Sequence, residues 1–107
     1  MHERIDKRSL AMHAVIAERL RRDPSLLHHA RVNLRRWRAT CSPRVAPAFE
    51  EWEAILDGDF TSLLDLLVSP DERATRLRQS SPFAGPRFIS PKERADIFRR
   101  HREPRTA

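Results

Sequence analysis

Five histidines, one cysteine and a short acidic run are the residues of this chain whose types could do chemistry. His28 and His29 are adjacent, so on a helix their rings diverge by about 100° and cannot grip one metal as an i,i+4 pair would. His13 falls at the edge of an apolar helical face, where a packed or partly exposed ring is expected. Cys41 has no histidine near it in sequence and reads as a small buried side chain. A single cysteine also excludes an internal disulfide framework and a cysteine zinc site. Glu50, Glu51 and Glu53 could supply paired carboxylates, but acids are expected near a helix start because they suit its dipole. Gly58 and Gly85 are the only glycines, so no glycine-rich phosphate loop exists. No catalytic constellation emerges. The chain reads as a non-enzyme with no metal and no cofactor.

Binding is the remaining chemistry, and it rests on arginine. The 107 residues carry a formal charge of +6. Residues 1–40 hold ten Lys+Arg against four Asp+Glu, residues 41–72 hold Arg44 against eight acids, and residues 73–107 hold ten basic against three acidic residues. The blocks are therefore +6, −7 and +7. Such blocks can attract one another within the molecule, or each can face a different partner. Nineteen of the 21 basic residues are Arg, a skew that a GC-rich genome also produces, so a nucleic-acid reading is discounted for it. Arg31, Arg35 and Arg38 follow a four- and three-residue spacing, and project from one side of a helix as a row that could track phosphates. Arg36 projects from another. Trp37 fits an apolar seam better than a stacking platform. Arg99, Arg100, Arg102 and Arg105 give the tail a second basic cluster.

A second binding candidate is the stretch from Arg76 to Phe98. Arg76, Arg78 and Gln79 lead into Ser81-Pro82-Phe83-Ala84-Gly85, and Phe88, Ile89 and Phe98 follow. Aromatic and Arg anchors on a proline-restrained backbone suit hot-spot binding at low entropic cost. The same rings could instead fold back to cover the core, and both uses can hold at once.

The elements that must position these residues are helical. Two glycines against eight prolines, and no tyrosine, argue against a turn-rich sandwich or barrel. Met12, Val15, Ile16 and Leu20 recur at helical spacing within residues 6–22, with Ile5 and Leu10 extending the apolar side and Asp6 as the N-cap. Asp23-Pro24 starts a second helix, in which Leu27, Ala30, Leu34 and Trp37 form a seam toward the first. A third helix over residues 46–56 presents Phe49, Trp52, Ile55 and Leu56, and Asp57-Gly58 stops it. Residues 61–68, capped by Asp59 or Thr61, are almost wholly apolar and belong at the centre of the core. Ser69-Pro70-Asp71-Glu72 and Ser90-Pro91-Lys92-Glu93 both read as capping boxes with proline at the first helical position. Three prolines (Pro82, Pro86, Pro91) forbid a helix between them. No apolar run reaches the ~20 residues of a membrane span, and the charged start is unlike a signal peptide, so a cytoplasmic protein is expected.

The run Arg76-Leu77-Arg78-Gln79-Ser80-Ser81-Pro82-Phe83-Ala84-Gly85, followed by a proline and then Glu-Arg, resembles the C-terminal signature of antitoxins of bacterial type II toxin–antitoxin systems. The likeness is to MenA-like partners of nucleotidyltransferase toxins. Residues Lys7-Arg8-Ser9-Leu10-Ala11-Met12-His13 and Asp23-Pro24-Ser25-Leu26-Leu27 are similar to longer members. The chain departs from the pattern in placing Pro86-Arg87-Phe88 before Ile89, and in Ala95 where a bulky aromatic is expected. The resemblance implies a protein that binds its toxin in the cytoplasm and blocks its active site or nucleotide pocket. It implies contact roles for Arg78, Gln79, Ser81, Pro82, Phe83 and Gly85. Phe83 would fill an apolar pocket, Arg78 would pair with metal-holding carboxylates of the toxin, and Gly85 would allow close approach.

The expected architecture is all-α: a helical hairpin with two to three short helices over residues 1–78, then a proline-interrupted partner-binding arm over residues 79–107 ending in a short helix. The expected contact set is Arg76, Arg78, Gln79, Ser81, Pro82, Phe83, Gly85 and Phe88. The expected partner is a toxin with an acidic or metal-binding active site, in a hetero-oligomer or beside a homodimer. Operator DNA read by Arg31, Arg35 and Arg38 is the alternative.

Overall fold

The computed structural model describes residues 2–101, with side chains from residue 7 onward. Among the described residues the chain forms six helices and no strand: α1 (His2–Arg22), α2 (Leu27–Thr40), α3 (Ala46–Asp57), α4 (Phe60–Val68), α5 (Glu72–Arg78) and α6 (Pro91–Arg100). This is the expected small all-α bundle. No helix in it is long and apolar enough to cross a membrane. Arg102 and Arg105 lie outside the described residues.

Local signals account for most helix ends. Asp23 accepts from the Ser25 amide and starts a single 3-10 turn, Pro24–Leu26, which leads into α2. Asp59 accepts from the Ser62 amide, which makes it the cap of α4. Ser90 and Glu93 form a complete reciprocal capping box at α6, with Pro91 in the first turn. Two expectations are corrected. Helix α1 begins at His2 rather than at residue 6, so Asp6 is inside it. The cap of α5 is Asp71, whose carboxylate accepts from the Ala74 amide, while Ser69 ends α4 and its hydroxyl takes the Asp71 amide. A carboxylate two residues nearer the helix outcompetes the hydroxyl. Gly58 ends α3 as expected, with φ −89°.

Helix α4 is the hub. Its Leu63, Leu64 and Leu67 are buried, and α1 runs along it while also touching α5 and α6. Helix α2 leans chiefly on α3. The expected seam of α2 divides accordingly: Ala30 and Leu34 enter the common core with Ile16 and Leu20, whereas half-buried Trp37 packs on Phe49 of α3 at 5.9 Å. The core does not stop at residue 78. Phe83 and Phe88 join it and stack edge-on at 5.4 Å, and Phe83 also meets Trp52 edge-on at 5.8 Å. Trp52 is fully buried, and its indole N–H donates to the Leu77 carbonyl at 2.9 Å. A small chain with four apolar helical faces has to close its core with whatever large rings it owns.

Candidate partner-binding surface

The segment between α5 and α6 is non-helical because of its prolines; the Gly85 carbonyl closes one turn by accepting from the Phe88 and Ile89 amides, and side chains tie the rest to the helices. Arg78 is 5% exposed and donates through Nη1 to the Ser69 carbonyl at 2.7 Å, with the Leu66 and Leu67 carbonyls at 3.4 Å. Leu66 and Leu67 are in the last turn of α4 and Ser69 is the residue that ends it, so the guanidinium sits over the C-terminal end of that helix and acts as a cap. Ser81 bonds His13 Nε2 at 2.8 Å, and its hydroxyl oxygen accepts from the Phe83 amide at 3.1 Å. Pro82 is fully buried, and its carbonyl accepts from Asn33 Nδ2 at 2.9 Å. Gly85 has φ +109°, a conformation that L side chains rarely adopt.

The expected contact residues therefore sort into two sets. Arg78, Pro82, Phe83 and Phe88 are interior, so none presents its side chain to a partner in this fold. Ser81 is half-buried. Arg76, Gln79 and Gly85 are exposed, and Arg76 pairs with Glu51 of α3 at 3.2 Å. The ten-residue motif is thus a structural unit with an exposed rim.

The expected phosphate-tracking row is broken. Arg31 donates to Asp57 at 2.6 Å and to the Leu56 carbonyl at 2.7 Å, and Arg38 pairs with Glu53 and with Glu50. Only Arg35 of the three is exposed without an ion pair among the described residues. The α3 acids of the middle block are taken by neighbouring arginines, since Glu51 also takes Arg73. Opposed basic and acidic helices in one small bundle pair with each other first.

Sequence reasoning singled out Asn33 and Arg36 only in passing, and gave Arg87 no role. The structure brings them together. Asn33 spans from α2 to the Pro82 and Ala84 carbonyls, and the turn it holds faces His29, Val32 and Arg36 across an open groove of about 320 Å³. The signal was present as the four- and three-residue spacing of His29, Asn33 and Arg36 along one face of α2, but its counterpart lies about 50 residues later.

The buried titratable group is His13. Its Nδ1–H donates to the Ser9 carbonyl at 2.7 Å, which leaves Nε2 as the acceptor for Ser81. Burial lowers its pKa to about 4, against the raising effect of the Ser9 carbonyl, and the charge of Arg78 lowers it further. Glu93, held by Arg19 and by the Ser90 amide, titrates at about 2. Arg19 also donates to the Phe88 carbonyl at 2.7 Å, so one α1 side chain ties the extended segment to α6. Cys41 is half-buried rather than buried, its thiol 3.6 Å from the Arg38 carbonyl. No group of three or more His, Cys, Asp and Glu among the described residues is placed to hold a metal ion. Compared with known proteins, the chain matches no family model, no curated protein and no solved structure.

Proposed function

We propose that this protein is an antitoxin: a cytoplasmic binding protein that neutralises a cognate toxin, of nucleotidyltransferase type, by covering its active site. The supporting observation is that residues of the motif over positions 76–85 each have a defined place in a packed unit that ends in an exposed turn. Arg78 caps α4, Ser81 bridges α1, Phe83 fills the core and Gly85 turns the chain outward. The motif, which resembles the signature of such antitoxins, then serves as the scaffold of an interface, with Arg76, Gln79, Gly85 and the neighbouring Arg87 as its rim. Co-expression with the product of the adjacent gene tests this. The expected result is relief of growth arrest and a complex that survives size-exclusion chromatography. A chain that folds but neither relieves arrest nor co-elutes overturns it.

The alternative reading is nucleic-acid binding, and exposed Arg35 and Arg36 are its support. Titration of a DNA duplex at two salt concentrations separates the two. Phosphate-driven affinity falls steeply with salt, whereas a packed protein complex holds.

A further inference from the structure

One face of the molecule carries positive charge that the protein does not neutralise. Arg36 of α2 and Arg87 of the Gly85 turn are both exposed, and neither has an ion pair among the described residues. They line the groove between α2 and that turn, and no carboxylate lines it with them. Arg87 Nη1 lies 3.4 Å from His29 Nε2, which draws this guanidinium toward the α2 side of the groove. Arg36 donates to Asn33 Oδ1 at 3.1 Å, and Asn33 is itself fixed to the turn. Two guanidiniums from different elements are thus tethered to one groove, one by His29 and the other by Asn33. Val32, 37% exposed, and Pro86 add apolar wall.

We infer that this groove receives an acidic side chain of a protein partner, an aspartate or glutamate flanked by an apolar residue. Arginine forks suit carboxylates and phosphates alike, so the surroundings decide. A phosphate backbone needs a continuous run of free cations, and beyond the groove α2 offers only Arg35, because Arg31 and Arg38 are held by Asp57, Glu50 and Glu53. A single carboxylate entering from the turn side meets two arginines, an apolar wall and no opposing acid.

This inference deepens the binding reading above, yet the two fail separately. The probe is a synthetic glutamate-rich peptide carrying one leucine, titrated into the full chain and followed by backbone amide NMR. Shifts are expected at residues 29–36 and 84–88, and Arg36→Glu/Arg87→Glu should weaken affinity by about tenfold or more. Arg44→Glu/Lys92→Glu removes the same charge elsewhere and should leave affinity within about twofold. If the first variant does not fold, Arg36→Gln/Arg87→Gln replaces it. The inference is overturned if no shifts appear at the groove, if the glutamine version of the peptide binds equally, or if the control variant loses as much. It is also overturned if a DNA duplex binds the groove more tightly than the peptide at the same salt. A wild-type chain that relieves growth arrest no better than Arg36→Glu/Arg87→Glu sinks the groove and leaves the antitoxin reading standing. Peptide docking by a chain that relieves no arrest does the reverse.

Discussion

His13 Nε2 lies 2.8 Å from the Ser81 hydroxyl, across 68 positions of sequence, and this bond joins the first helix to the segment that closes the core. The ring is 4% exposed and keeps its proton off to a pKa of about 4, against 6.5 for an ordinary histidine. Between those values the unfolded chain binds a proton that the folded one does not, so stability falls as pH drops from 6.5 toward 4. The full difference is about 3 kcal/mol. Urea unfolding at a series of pH values should show this slope in the wild type, and His13→Gln should flatten it. An unchanged slope in His13→Gln would place the titrating group elsewhere.

Phe83 and Arg87 should behave oppositely under mutation. Phe83 touches Trp52 and Phe88 in the core, so Phe83→Ala removes edge-on ring contacts and leaves a cavity. It should cost about 3–5 kcal/mol of folding stability. Arg87 is exposed, and its alanine variant should fall within about 0.5 kcal/mol of wild type. Thermal melts of the two variants check this. Equal stability would return Phe83 to the surface as a free anchor.

Helix capping shows how far the chain was legible. The same four-letter pattern, Ser-Pro-x-Glu, occurs at Ser69 and Ser90, and only the second is a capping box in the fold. The difference is Asp71, a stronger local competitor that the pattern also contains. Asp71→Ala and Ser90→Ala should each cost about 1 kcal/mol, and Ser69→Ala less than either. Apolar patterning located the first four helices and the Ser-Pro capping patterns the last two, because both signals need only neighbours in sequence. It could not place Phe83, because whether a ring fills the core or a partner's pocket depends on Trp52 and α4, far away in the chain. Nor could it show that Arg31 and Arg38 are occupied by the acids of α3, since spacing along one helix says nothing about its neighbour.

The Glu93 carboxylate should behave as an acid-stable latch. Arg19 and the Ser90 amide hold it ionised to a pKa of about 2, below its ordinary 4.5. Its contribution is complete above 4.5 and is lost as pH falls through about 2, well below the window of His13. Glu93→Gln should therefore weaken α6 at neutral pH yet leave the slope between pH 4 and 6.5 intact. Hydrogen exchange of the α6 amides, measured beside the global melt, separates the two groups.

The chain's two glycines make the sharpest contrast between what composition suggests and what geometry requires. Gly58 reads as a helix stop, and the resemblance gives Gly85 a close backbone approach. Gly58 has φ −89°, a value open to any residue, and an added Cβ would meet the Ile55 carbonyl oxygen at an ordinary 3.4 Å. Alanine there narrows the unfolded ensemble without straining the fold, so Gly58→Ala should raise stability by up to about 0.5 kcal/mol. Gly85 has open space around its Cβ position but sits at φ +109°, so backbone strain rather than crowding sets the cost. Gly85→Ala should lose about 1–2 kcal/mol and loosen the turn that carries Arg87. Melts of the two variants, with amide exchange over residues 84–89, decide it. A stabilised Gly85→Ala would mean that this turn does not need its left-handed backbone, and the groove wall beside α2 would then be free to rearrange.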